Sequence, residues 1–196
     1  MARMQKLIET HRWTREAYDR MFDHGLFGPD ERVELIDGEI LEMTPIGSRH
    51  ATAVQLVPRA LESAFGRGFC VRAQLPLALD PRSEPEPDVA IVRGTPRDYR
   101  DFHPSPSDTV LVVEISESSL EYDRATKASL YARAQIVEYW IVNLVDGQLE
   151  VSRCPEIFAD APFGWRYSEV QTLGPGSRIA PLAAPSIVIA IDDLLP

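Results

Sequence analysis

Apolar residues recur at helical spacing in three stretches of the chain, and elsewhere they alternate or run together in the manner of strands. Thr14 can cap a short amphipathic helix from Arg15 to about His24, with Gly25 as its stop. Val33-Glu-Leu-Ile-Asp-Gly-Glu-Ile-Leu-Glu-Met43 then holds two β-prone runs joined by Asp37-Gly38, the strongest short-range signal for a hairpin. Ser48 can cap a second helix that runs to about Gly66. Its apolar positions Val54, Val57, Leu61 and Ala64 or Phe65 keep one face, and His50 shares that face. Pro58 inside the pattern predicts a kink or a late helix start.

Strands take over from Cys70. Val71 to Leu79 alternates well enough for one, and Asp88 to Val92 supplies another after the proline-rich Ser83 to Pro87. Arg93 to Ser107, with three prolines and a glycine, reads as a long loop. Thr109-Val-Leu-Val-Val-Glu-Ile115 is almost continuously apolar, the mark of a strand covered on both faces. A helix from about Tyr122 to Ala134 follows, then the strand Glu138 to Asn143, and Asp146-Gly147 turns the chain into Gln148 to Arg153 as a second hairpin. Further strands are expected around Tyr167 to Leu173 and Ser186 to Ile191. Without an internal repeat or a linker, the order predicts a single α/β (α+β) domain over residues 1–196, a mixed β-sheet flanked by helices with an N-terminal helix and β-hairpin.

Composition narrows the class. With 196 residues, 44% apolar and 26% charged, the chain is long enough to bury a core and is neither disordered, collagen-like nor a disulfide framework. Cys70 and Cys154 stand alone, without a CxxC pair or a nearby histidine cluster, so a structural zinc site is not expected and a reducing cytoplasm is. The longest apolar stretch, Ala180 to Ile191, is broken by Pro181, Pro185 and Ser186 and falls far short of the ~20 residues of a spanning helix, so no membrane partner is expected. Met1 to Lys6 lacks the apolar core of a signal peptide. The net charge of −10 argues against a protein that coats nucleic acid electrostatically, yet it suits a carboxylate-rich site that holds divalent cations. Of the 20 basic residues only two are lysines, Lys6 and Lys127.

Three positions carry chemistry. Glu114 ends the apolar run of a central strand, where a charge costs several kcal/mol unless it is paired, coordinates a metal or escapes to solvent at the strand end. Asp88 opens the neighbouring strand just after Pro87. A Pro-Asp dipeptide alone is a common turn element, but with Glu114 it brings two carboxylates to one sheet edge, an oxygen-rich site for Mg²⁺ or Mn²⁺. Lys127 lies on the following helix. It either pairs with Asp123 at i, i+4 on the surface, worth ~0.3–0.5 kcal/mol, or faces inward and reaches the carboxylates.

Six segments in order, Glu34-Leu-Ile-Asp-Gly-Glu-Ile40, His50, Glu86-Pro-Asp-Val-Ala-Ile-Val92, Val112-Val-Glu-Ile-Ser116, Asp123-Arg124 with Lys127 and Tyr131, and Glu138-Tyr-Trp-Ile-Val142, resemble the Uma2 family, also called DUF820. That resemblance covers about Thr14 to Asn143 and, more loosely, the C-terminal part. It implies a restriction-endonuclease-like core of the PD-(D/E)xK nuclease fold. It further implies that Asp88, Glu114 and Lys127 are catalytic, and that Asp88, Glu114 and the Ile115 carbonyl hold the metal. Glu34 resembles an additional acidic residue contributed by N-terminal elements, with His50 and Gln74 as accessory groups; for His50 a satisfied histidine at a helix start stands beside that role. The wider nuclease pattern has its lysine two residues after the acid. Here that position is Ser116, and the resemblance places the lysine on the next helix.

The expected function is therefore a Mg²⁺- or Mn²⁺-dependent endonuclease with DNA as substrate and Lys127 orienting or deprotonating the attacking water; the oligomeric state stays open, a homodimer being one way to supply the two sites that duplex cleavage calls for. Arginines between Arg93 and Arg100 can touch phosphate or be solvated loop charge. The apolar tail Ile187 to Leu195 can serve an interface or a core strand. Two alternatives stand beside this reading: a nuclease-like fold without turnover that serves as a binding or assembly module, and a carboxylate-pair hydrolase acting without metal. No Gly-x-Ser-x-Gly turn, P-loop or dinucleotide loop points to another chemistry.

Overall fold

A computed structural model describes residues 10–43 and 47–196; Met1 to Lys6, where the signal-peptide expectation falls, lies outside them. Helix α1 spans Arg15–Asp23, and Thr14 caps it by accepting the Ala17 N–H at 3.2 Å. Strands β1 (Val33–Ile36) and β2 (Glu39–Glu42) form the hairpin, with Asp37 and Gly38 at φ of 47° and 82°, the left-handed pair that a two-residue turn demands. Gly38 is needed twice over, because a Cβ there would lie 2.7 Å from Arg12 Cβ. Helix α2 (Ser48–Phe65) begins well before Pro58 and continues past it, so the late start does not occur. Its cap is Gly47 rather than Ser48, which is already helical.

Six strands make the main sheet in the order β3-β4-β5-β6-β7-β8: Phe69–Ala73, Val89–Arg93, Thr109–Ser116, Glu138–Asn143, Gln148–Ile157 and Trp165–Leu173. Only β5 and β6 pair in parallel, and all other neighbours are antiparallel. Their connection is helix α3, built from Leu120–Tyr122, a wide π turn at Asp123–Lys127, and Ala128–Arg133. Every residue of β5 and β6 is buried, because α2 packs on one face of the sheet and α3 on the other. Val57, Leu61, Val113 and Trp140 sit on the first side, and Val112, Leu130, Tyr131 and Tyr139 on the second.

Two expected strands are shorter in the structure. β3 stops at Ala73, because Gln74 takes a left-handed φ of 51° and sends the chain off to bury Leu77 and Leu79 under α3. Near the C-terminus only Ile189–Ala190 (β10) pairs, with Arg178–Ile179 (β9). Ile189, Ile191 and Leu194 join the core on the α2 side, so this part of the tail serves the core, while Val188 stays exposed.

Candidate active site

Because β4 and β5 are antiparallel with Val89 opposite Val113, the start of one strand meets the end of the other. Asp88 and Glu114 therefore sit side by side, at the ends of two interior strands and not at a sheet edge. Each carboxylate is latched to the backbone of the other's strand end: the Asp88 N–H donates to Glu114 Oε2 at 3.1 Å, and the N–H of Ile115, next after Glu114, donates to Asp88 Oδ2 at 2.9 Å. Glu114 does not escape to solvent; it is 5% exposed, and its Oε1 accepts the Tyr131 hydroxyl at 2.7 Å.

Three elements bring the remaining groups to this point. His50, in the first turn of α2, places Nε2 3.0 Å from Asp88 Oδ1. Gln74 reaches the same oxygen at 3.4 Å, and its left-handed backbone aims it there just where β3 ends. From the hairpin, Glu34 holds Lys127 Nζ at 2.6 Å on an oxygen that also accepts the Glu86 N–H at 3.2 Å. Lys127 is 4% exposed and lies 3.4 Å from Glu114 Oε1. The surface ion pair with Asp123 does not form, since Asp123 instead accepts the Ser116 and Ser119 hydroxyls at 2.7 and 2.6 Å.

Asp88, Glu114, Ile115, Lys127, Glu34, His50 and Gln74 all line one cavity of about 400 Å³. The arginines of the 93–100 loop do not line it. They lie at the far end of β4, where Arg93 stacks near Phe69 and Arg100 pairs with Asp101. Asp123, Tyr122, Glu86 and Tyr131 belong to the site or support it; the sequence offered Asp123 only as a surface partner of Lys127 and gave none of the four a part in the site. Asp123, Lys127 and Tyr131 are spaced by four, but Glu121, Arg124, Ser129 and Arg133 on the same helix make that spacing no different from a solvated face.

Electrostatics sets this cavity apart. Seven acidic residues line it, four of them the buried Glu34, Asp88, Glu114 and Asp123, against the permanent cations Arg32 and Lys127. Burial pushes the Glu114 carboxyl up to about 8; Lys127 opposes this, and Asp123, Asp88 and Glu34 add to it. Burial also acts to lower Lys127, but Glu114 and Glu34 outweigh it and hold the amine above its ordinary value. A protonated Glu114 would weaken that hold, yet Glu34 at 2.6 Å remains, so Lys127 stays an ammonium. For His50, burial is outweighed by the hydrogen bond and charge of Asp88, and its pKa rises. Burial raises Asp123 against the pull of the Ser116 and Ser119 hydroxyls.

The residues fit a hard divalent cation in donor type and charge, though not as a ready-made cage. The donors at the Asp88–Glu114 pair are oxygens with no thiolate nearby, and the surplus of negative charge is what a dication would offset. Among the described residues, however, no group of three His, Cys, Asp or Glu side chains stands ready as a metal cage.

Comparison with known proteins comes down on the same fold. The family profile described as "Uma2: Putative restriction endonuclease" matches residues 15–192. The crystal structure of "a putative nuclease belonging to DUF820" from Anabaena variabilis ATCC 29413 superposes with a TM-score of 0.66 at 15% identity, over 92% of this chain and 96% of that one. At that identity the likeness shows the fold alone. No curated protein matches the sequence.

Proposed function

Because the chain belongs to the Uma2 family, we propose that it is a metal-dependent endonuclease that hydrolyses phosphodiester bonds in DNA. The observation that carries this reading is the meeting of Asp88 and Glu114 at the head of an acid-rich cavity with one buried ammonium beside them. As it stands, the cavity would repel a phosphate. Asp88, Glu114 and the Ile115 carbonyl are the groups that would hold Mg²⁺ or Mn²⁺, which supplies a polarised phosphate and a more acidic water.

The chain's own residues do the rest. The backbone latches between Asp88 and Glu114 fix both carboxylates relative to one another before any ligand arrives. Glu34 aims the Lys127 ammonium toward Glu114. Because Lys127 is held protonated, its role is to orient water and to offset negative charge that develops on phosphorus, and not to remove a proton. His50 and Gln74 steady Asp88 Oδ1. Free Cys70 and Cys154 suit a reducing cytoplasm, and cutting both strands of a duplex calls for two copies of the site.

Cleavage of plasmid and oligonucleotide DNA in Mg²⁺ or Mn²⁺ tests the proposal. Glu114→Gln and Asp88→Asn should each lower cleavage by about 100-fold or more, in line with the loss of a preorganised charge-stabilising group. Activity retained in either variant would overturn the mechanism. One observation favours a second reading, a nuclease fold that binds or assembles without turnover: all four carboxylate oxygens of Asp88 and Glu114 already accept hydrogen bonds from the protein. On that reading the wild-type protein cuts nothing in either metal.

A further inference from the structure

Ser116 occupies the strand position two residues after Glu114, on the same face of β5, fully buried and facing α3. Its hydroxyl goes neither to the Asp88–Glu114 pair nor to solvent but to Asp123 Oδ2, at 2.7 Å, which also takes the Ser119 hydroxyl at 2.6 Å. The Asp123 carbonyl is held as well, accepting the Tyr139 hydroxyl at 3.1 Å and the Ala128 N–H five residues on, the hydrogen bond that makes this turn wide. Asp123 is therefore tied to β5 through its carboxylate and to β6 through its carbonyl.

The wide turn has a geometric consequence. An α-helix rotates about 100° per residue, so over eight residues Tyr131 would stand about 80° round from Asp123. Absorbing one residue in a π turn cuts that offset to about 20° and brings Asp123, Lys127 and Tyr131 onto one narrow face. All three then meet the ends of β5 and β1: Asp123 on Ser116, Lys127 on Glu34 and near Glu114, Tyr131 on Glu114.

We propose that Ser116 and Asp123 are positioning residues, a strand-to-helix anchor that holds the π turn and thereby delivers the Lys127 ammonium to Glu34 and Glu114. Asp123 acts here as a hydrogen-bond acceptor, with no need of its charge. That sets the prediction apart from any role for Asp123 as a ligand. The activity arm of the test rests on the nuclease reading; the placement of Lys127 does not.

The scarcity of lysine makes a direct test possible. Protein labelled with ¹⁵N at lysine Nζ contains only Lys6 and Lys127, and Lys127→Arg assigns the signals. In the wild type, Lys127 should show a slowly exchanging ammonium signal near neutral pH. Asp123→Ala should abolish it and lower kcat by at least ten-fold with little change in KM. Ser116→Ala, which keeps the Ser119 bond and is the milder variant should Asp123→Ala fold poorly, should weaken the signal and the rate by several-fold. Asp123→Asn, whose amide oxygen can accept the same two hydroxyls, should restore both. An unchanged Lys127 signal in Asp123→Ala and Ser116→Ala would overturn the proposal. So would an Asp123→Asn variant as impaired as Asp123→Ala, since Asp123 would then act through its charge. If the wild type cuts no DNA in either metal, the nuclease reading falls, and the ammonium signal alone decides the anchor.

Discussion

Two neighbouring strands each bury a glutamate, and the two glutamates differ in everything but burial. Glu138 opens β6 at 0% exposure. Its Oε1 accepts the Trp140 indole N–H at 3.1 Å and the Arg153 guanidinium through both Nε and Nη2, and its Oε2 accepts the Leu182 N–H at 2.8 Å. Glu150 on β7 repeats the pattern with the Arg124 fork at 3.0 and 2.6 Å and the Asn143 amide at 2.7 Å. Both buried carboxylates are met directly by a guanidinium away from the acid-rich cavity, Glu138 by Arg153 alone and Glu150 by an Arg124 that also holds the exposed Glu121 at 3.0 Å. Glu114 has instead a hydroxyl, a backbone N–H and a lysine shared with Glu34, with Asp88 and Asp123 adding more negative charge nearby. Matched charge closes a fold, whereas unmatched charge facing a cavity stores a demand that a cation can meet.

The largest expected effect separates the two on stability. Glu138→Ala strips Arg153 of its buried partner and orphans the Trp140 and Leu182 donors, which should cost about 3–5 kcal/mol in urea unfolding. Glu114→Gln keeps the volume and relieves repulsion among carboxylates, so it should change stability by no more than about 1 kcal/mol in either direction while abolishing activity. Equal losses in the two variants would erase the distinction.

A smaller effect should appear in pH dependence, with opposite signs. Glu114 carries a raised pKa in the folded chain, so between about 4.5 and 8 the folded state binds more protons than the unfolded one, and stability should fall as pH rises through that window. His50, also raised, adds to the fall above its ordinary value of 6.5. For Glu150, burial is outweighed by its hydrogen bonds to Arg124 and Asn143, and the pKa is lowered. Its contribution is therefore present above the ordinary carboxylate range and lost as pH falls through the folded value. Urea titrations across this range should show Glu114→Gln flattening the slope above pH 5, and Glu150→Gln flattening only the acid limb.

Much of the site could be read from the chain because its signals are violations of local pattern. A carboxylate ending an apolar run exposed Glu114, one opening the next strand after Pro87 exposed Asp88, and a rare lysine among arginines exposed Lys127; the structure brings all three to one cavity. Asp123 and Tyr131 were hidden because polar groups four apart on a helix look like an ordinary solvated face. The π turn was hidden because it depends on the Ser116 and Tyr139 contacts made across the sheet, and no local pattern encodes those. The alternation of Val71 to Leu79 misled for a similar reason: Gln74 turns left-handed to serve Asp88, and Leu77 and Leu79 bury beneath α3 outside any strand.

The most direct measurement is a calorimetric titration of metal-free protein with Mn²⁺, run beside Asp88→Asn. The wild type should bind, with a stability gain approaching about 2.7 kcal/mol at a hundred times the dissociation constant, and Asp88→Asn should lose both the heat and the gain. No heat and no stabilisation in the wild type at millimolar Mn²⁺ would contradict a cation site at Asp88 and Glu114.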